Sequence, residues 1–285
     1  MKTISSLMEM QATANQLCRA GRKIGFVPTM GYLHAGHLSL IKAAREQCDS
    51  VIVSVFVNPT QFAPNEDFAQ YPRDVARDAA LASEAGVDFF FIPETVEMYP
   101  DGYSTFVTVE GLSSLLEGAV RPTHFRGVTT VVLKLLELTK PHVMYLGQKD
   151  VQQCAVLRRM ARDLNLDVII SICPTVRESD GLAMSSRNVY LSPEDRRDVP
   201  ILHRSLRDAA ERIHSGVLDC LQIRAGMEAL LSSVPHASPD YIAIIDGETL
   251  QPIATIDKHR QTIIALAVRF GATRLIDNAI IDAVN

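Results

Sequence analysis

Short β-branched runs alternate with helix-patterned segments over residues 23–175, and this alternation restricts the chain more than any other feature of its sequence. KIGFVPT (23–29) leads into HLSLIKAAREQCD (37–49) and then SVIVSVFVNPT (50–60), the pattern of a βαβ unit. The pattern continues as helix over 71–86, ending at Gly86, then strand over 87–93, helix over 127–140 and strand over 141–147. Helix over 150–165 and strand over 166–175 complete it. The strands are near-continuous apolar runs, so both their faces need cover, which the intervening helices supply. The expectation is an α/β, Rossmann-like parallel sheet with helices on both faces, occupying residues 1–174.

The pattern changes after Cys173-Pro174. Ser192 before Pro193, Glu194 and Asp195 marks a helix start, Gly216 marks its end, and Pro200 predicts a break within it. A second helix is expected over 219–233, followed by strand-like runs at 241–246, 262–270 and 273–281 with no helix between them. Residues 175–285 are therefore expected to form a smaller C-terminal α+β domain.

Composition narrows the function. Apolar residues make up 47% and charged residues 21%, a globular balance, and the net charge of -5 offers no broad attraction for nucleic acid or an anionic membrane. The five cysteines include no Cys-x-x-Cys pair, so reduced thiols are expected. The first residues lack the apolar core of a secretion signal, and no later stretch approaches a membrane span, so the expected location is cytoplasmic.

Three segments carry chemistry, the first two at predicted strand ends and the third on a polar loop at the start of the second domain. In Pro28-Thr29-Met30-Gly31-Tyr32-Leu33-His34-Ala35-Gly36-His37, Gly31 and Gly36 allow close backbone approach to a nucleotide. His34 and His37 share one face of the helix entrance and can meet negative charge on a phosphate under attack. A zinc site is disfavoured, because no third ligand has recognisable spacing. In Gly147-Gln148-Lys149-Asp150, Lys149 can neutralise phosphate while Asp150 caps a helix or holds ribose, and Gln153 lies one turn on. The third segment, Met184-Ser185-Ser186-Arg187-Asn188, presents hydroxyls and a guanidinium on a polar loop. There is neither a P-loop nor a dinucleotide fingerprint.

The first segment resembles the His-x-Gly-His signature of the nucleotidyltransferase superfamily, and the third its flexible Lys-Met-Ser-Lys-Ser type of loop, with Arg187 as the only cation. Together with Asn58-Pro59-Thr60-Gln61-Phe62, Tyr71-Pro72-Arg73 and Arg121-Pro122-Thr123-His124-Phe125-Arg126-Gly127, they resemble the pantothenate synthetase (pantoate:β-alanine ligase) family over essentially the whole chain. Gln148 stands where many members carry Glu.

The resemblance implies that pantoate attacks the α-phosphate of ATP, and that β-alanine then takes the pantoyl group from a noncovalent adenylate. It implies His37, His34, Lys149 and Arg187 as the catalytic set. The implied ATP site is Met30, Gly31, Tyr32, Leu33, His34, Ala35, Gly36, His37, Gly147, Gln148, Lys149, Asp150, Val176, Met184, Ser185, Ser186 and Arg187. Gln61, Gln153 and Asn58 are implied as contacts for pantoate and β-alanine. Mg²⁺ is expected with ATP, and Asp78 is either its protein contact or an ordinary surface carboxylate. Arg121 and His124 are left between an anion contact and a structural ion pair. The resemblance further implies a homodimer, and a second domain that closes over the site. A plain nucleotidyltransferase would share His-x-Gly-His but offers no reason for Gln61 and Gln153. A non-catalytic nucleotide-binding regulator would not need His37 or Lys149.

Overall fold

The computed structural model describes residues 1–64 and 66–283. The chain folds as two compact units, one of Met1–Gln148 and Gln153–Pro174, the other of Lys149–Gln152 and Thr175–Asn285. Residues 149–152, expected in the first domain, belong with the second unit, where Asn278 Nδ2 donates to the Lys149 carbonyl at 2.9 Å.

In the first unit β1 (Lys2–Ile4), α1 (Leu7–Arg19), β2 (Ile24–Thr29), α2 (Ala35–Gln47) and β3 (Ser50–Val55) are followed by a 3₁₀ turn, Pro59–Gln61. Next come α3 (Val75–Glu84), β4 (Phe89–Phe91), α4 (Thr95–Met98), a 3₁₀ turn at Leu112–Ser114, α5 (Leu116–Val120), α6 (His124–Thr139) and β5 (Val143–Gly147). A 3₁₀ turn, Gln148–Asp150, leads into α7 (Val151–Asp163), and β6 is Ile169–Cys173. The strands form a parallel six-stranded sheet in the order β1-β4-β3-β2-β5-β6. Val27, Val51, Val53 and Tyr145 share one core with Leu40, Ile41 and Ala44 of α2. The alternate residues Phe26, Ile52 and Met144 are also fully buried, so the sheet is covered on its other face too. β1, absent from the expected pattern, pairs with β4 at the sheet edge.

This strand order places the functional turns. The chain leaves β2 for β3 on one side and later adds β5 on the other, so the direction of winding reverses between β2 and β5. Ligands of open α/β sheets bind outside the carboxyl ends of the strands at such a reversal. The segments following Thr29 and Gly147 therefore lie where binding chemistry belongs.

The second unit holds a 3₁₀ turn, Ser186–Tyr190, then α8 (Pro193–Asp198), α9 (Ile201–His214), α10 (Cys220–Ser232), β7 (Ala237–Asp246), β8 (Thr262–Phe270) and β9 (Thr273–Ile281). Pro200 breaks α8 from α9 as the sequence predicts, and β7-β8-β9 form an antiparallel sheet. Leu202, Leu206 and Ala209 of α9 and Ile223 and Met227 of α10 pack with Ile264, Leu266 and Leu275 of that sheet. Among the described residues no helix is long and apolar enough to cross a membrane.

Candidate active site

The turn between β2 and α2 is built around a buried carboxylate. Gly31 (φ 84°) and Tyr32 (φ 53°) both take the left-handed conformation. The N–H groups of Tyr32 and Leu33 turn inward and donate to the Asp78 oxygens at 2.7 Å each. A Cβ on Gly31 would lie 2.9 Å from Val55 Cγ1 and 3.0 Å from Asp78 Oδ2, so shape as well as φ requires glycine there. Asp78 is 1% exposed. It is not a surface carboxylate, and both its oxygens are engaged in holding the turn, which makes it a brace for Tyr32 and Leu33 in place of the expected magnesium contact.

The two histidines close the helix entrance on each other. His34 is the N-cap of α2, and its Nδ1 accepts the Gly36 N–H at 3.2 Å; His37 Nδ1 accepts the His34 N–H at 3.2 Å. This is a capping box made from two imidazoles, with ring centroids 4.1 Å apart. A ring nitrogen that accepts carries no proton, so in each neutral ring the proton sits on Nε2. The Gly31 N–H is taken by Thr29 Oγ1 and the His37 N–H by the His34 carbonyl. The backbone cradle expected from Gly31 and Gly36 is therefore largely spent internally.

Gln61 lies against the same turn. Its Nε2 approaches Met30 Sδ at 3.0 Å, and its Oε1 accepts from Asn58 Nδ2 at 3.2 Å. Asn58, expected as a substrate contact, is 1% exposed and committed to the protein. Its Oδ1 accepts from Thr60 Oγ1 and the Tyr99 hydroxyl at 3.0 and 2.9 Å, and its Nδ2 also donates to the Gly127 carbonyl at 3.1 Å. Asn58 thus orients Gln61, because its polar atoms are already spent on neighbours. Burial pushes the Tyr99 hydroxyl up to about 12, so it stays a donor to Asn58. Gln153 sits half-buried on the first turn of α7.

Arg121 and His124 resolve toward structure. Arg121 grips Glu66 through Nε–Oε1 at 2.6 Å and Nη2–Oε2 at 2.5 Å, and Nη2 reaches the Gln61 carbonyl at 3.2 Å. Burial alone would raise the Glu66 carboxyl, but the hydrogen bonds and charge of Arg121 hold it below the ordinary value. His124 Nδ1 donates to the same Gln61 carbonyl at 3.0 Å. Burial, assisted by the neighbouring Arg121 charge, lowers His124 to about 4, so it is neutral near pH 7.

In the second unit Lys149 pairs loosely with Asp150 at 3.9 Å, and Asp150 is exposed. Residues 176–184 form a small hairpin: Met184 N donates to the Val176 carbonyl at 3.0 Å, and Arg177 bridges Ala183. Ser185 caps the following turn by accepting the Arg187 N–H at 3.2 Å, and Ser186 is buried. Asn188 Nδ2 holds Glu178 Oε1 at 3.0 Å and the Ala183 carbonyl at 3.2 Å. The segment expected as a flexible loop is tethered at both ends within its own unit. Among the described residues no group of three or more His, Cys, Asp or Glu side chains is arranged to hold a metal ion.

A parallel sheet that reverses direction beside a His-x-Gly-His turn defines an α/β fold of the nucleotidyltransferase type. The model of the Pantoate-beta-alanine ligase family matches residues 2–280. The pantothenate synthetase of Heliobacterium modesticaldum is 54% identical over 282 residues, covering 99% of this chain and all of that protein. That of Moorella thermoacetica is 53% identical over 282 residues, covering 99% of this chain and 98% of its own. Pantothenate synthetase from Thermus thermophilus superposes with a TM-score of 0.92 at 49% identity, covering 98% of this chain and 99% of that one. The pantoate-beta-alanine ligase of Francisella tularensis, solved in complex with beta-gamma ATP and beta-alanine, gives 0.81 at 36% identity, covering 98% of this chain and 97% of its own. The chain belongs to the pantoate-beta-alanine ligase family.

Proposed function

We propose that the chain condenses pantoate with β-alanine, using ATP, to give pantothenate, AMP and pyrophosphate. The full-length match to the family, residues 2–280, carries this assignment. The site geometry supplies its chemistry. A pantoate carboxylate oxygen bonds to the α-phosphorus as the bond to the β-phosphate oxygen breaks and pyrophosphate leaves. Negative charge builds on the phosphoryl oxygens, and fixed donors that need no reorganisation lower that barrier most. His34 and His37, whose Nδ1 atoms are fixed by the helix cap, are assigned as such donors through Nε2. We assign the triphosphate to Lys149, Ser185, Ser186 and Arg187, and the acid to Gln61 and Gln153, whose amides bind a carboxylate and hydroxyls without becoming nucleophiles.

In the second step the β-alanine amine attacks the acyl carbon, the bond from that carbon to the bridging oxygen breaks, and AMP departs with the oxygen; the ammonium proton passes to solvent. No Ser or Cys beside a base is assigned as an acyl carrier, so the adenylate is noncovalent. Mg²⁺ bound to ATP neutralises phosphate charge. With Asp78 committed to backbone amides and no three-ligand cluster among the described residues, Mg²⁺ is assigned to the nucleotide, and no step is routed through a protein-held ion. A homodimer in the cytoplasm completes the proposal.

The test is exchange of labelled pyrophosphate into ATP, which should require pantoate and not β-alanine. With pantoate labelled in its carboxylate oxygens, label must also reach AMP once β-alanine is added. Exchange without pantoate, label absent from AMP, or an acyl group attached to the protein would each overturn the assignment.

A further inference from the structure

Asp277 and Asn278 are neighbours on β9, 3% and 2% exposed, in a strand whose other inward residues from Leu275 onward are apolar. Successive residues of a strand face opposite sides of the sheet. Leu275, Ala279 and Ile281 belong to the core shared with α9 and α10, so Asp277 is a carboxylate in an apolar row. A buried charge of that kind needs a partner, and Arg177 provides one as a fork: Nη1–Oδ2 at 2.6 Å and Nη2–Oδ1 at 3.0 Å. Arg177 Nη1 also holds the Gly181 carbonyl at 3.1 Å. Arg177 lies at the base of the 176–184 hairpin, whose returning limb runs directly into Ser185, Ser186 and Arg187.

Asn278 faces the other side. It stands opposite Ala265 of β8, whose small side chain leaves room, and its Nδ2 donates to the Lys149 carbonyl at 2.9 Å. Two adjacent buried polar residues therefore reach two different segments of the second unit, and those segments carry Lys149 and Arg187. Well-packed apolar residues commonly replace buried ion pairs without loss of stability, so packing alone gives no reason for this pair.

We propose that Asp277 and Asn278 are positioning residues, which use β9 as a common reference to fix the separation between Lys149 and the Ser185-Ser186-Arg187 segment. A triphosphate presents its charges at fixed spacing, and cations that grip it must be held at matching spacing. The inference rests on the ligase assignment, because it takes Lys149 and Arg187 as phosphate ligands.

The experiment is a set of double-mutant cycles on pantoate-dependent ATP–pyrophosphate exchange. Asn278→Ala should lower exchange by about tenfold or more in the wild-type background, by less than about twofold in Lys149→Ala, and by its full factor in Arg187→Ala. Asp277→Asn should show the converse, its effect vanishing in Arg187→Ala and persisting in Lys149→Ala. An equal factor in every background would mean that the two residues act only on stability, and unchanged exchange in both single variants would mean that they position nothing. Either result overturns the proposal. Should Asn278→Ala fail to fold, Asn278→Ser enters the same cycle. Should Lys149→Ala exchange too slowly to follow, dissociation constants for a non-hydrolysable ATP analogue, measured by calorimetry, replace the rates. A wild-type protein with no pantoate-dependent exchange would instead overturn the ligase assignment.

Discussion

His34 and His37 each use Nδ1 for the fold, and the proposed chemistry falls to Nε2. The two roles occupy different atoms of one ring, so they can be separated by substitution. Asn places an oxygen near the position of His Nδ1 and nothing at Nε2. His37→Asn should therefore keep the bond to the His34 N–H, limiting the stability loss to under about 1 kcal/mol, the worth of one cap. Pantoate-dependent exchange should fall roughly a hundredfold, the cost of one preorganised transition-state donor, mainly in kcat. Exchange within about threefold of wild type would take His37 out of the phosphoryl step. Asp78 acts at the same scale but through backbone. Its partners are 45 and 46 residues away and are main-chain N–H groups. Any residue except proline supplies such a group, so the sequence shows no sign of it and a carboxylate on a helix reads as a metal or surface group.

The 3₁₀ turn Pro59–Gln61 and helix α6 meet more closely than side chains would allow, and Gly127 is the reason. A Cβ there would stand 2.4 Å from the Thr60 carbonyl oxygen and 2.6 Å from Gln61 N, both backbone atoms with no freedom to yield. The contact lets the Gly127 carbonyl accept from Asn58, which in turn holds Gln61. Gly127→Ala should separate the two elements, destabilise the first unit by about 1–3 kcal/mol and weaken pantoate far more than ATP. Equal weakening of both ligands, measured by calorimetry, would dissociate Gln61 from the acid. The sequence exposed these elements unevenly. β2, β3, β5, α2, α7 and the three C-terminal strands were legible because burial on one or both faces leaves a periodic apolar record, β6 because of its β-branched run, and the helix break because of Pro200. β1 was not, since of Lys2–Ile4 only Ile4 is buried and three residues cannot display a period. His34 and His37 stood out through their residue types and place at a strand end, and Gln61 only through the family resemblance. Asn58, Asp78, Gly127 and Asp277 work through distant partners, and their roles appear only when the chain is folded.

At the scale of the whole molecule, the same neighbourhood sets the response to acid. His124 titrates near 6.5 in an unfolded chain and is lowered to about 4 in the fold, where burial and Arg121 disfavour its charged form. Between those values the unfolded state binds the proton and the folded state does not, so stability falls as pH falls. The contribution is fully present above 6.5 and is lost progressively as pH drops toward 4. From pH 7.5 to pH 5 this single group should remove about 2 kcal/mol. Glu66 acts in the same direction but lower, because its folded carboxyl is held below 4.5, so its loss begins only as pH falls past that value. The two windows separate at pH 5. His124→Asn removes the titrating ring while keeping a donor near the Gln61 carbonyl. Urea unfolding of the two proteins, followed by circular dichroism at pH 7.5 and pH 5, should show the wild type losing about 2 kcal/mol more than the variant over that interval. Parallel losses would mean that His124 charges without penalty in the fold, and that burial and the Arg121 charge do not keep it neutral.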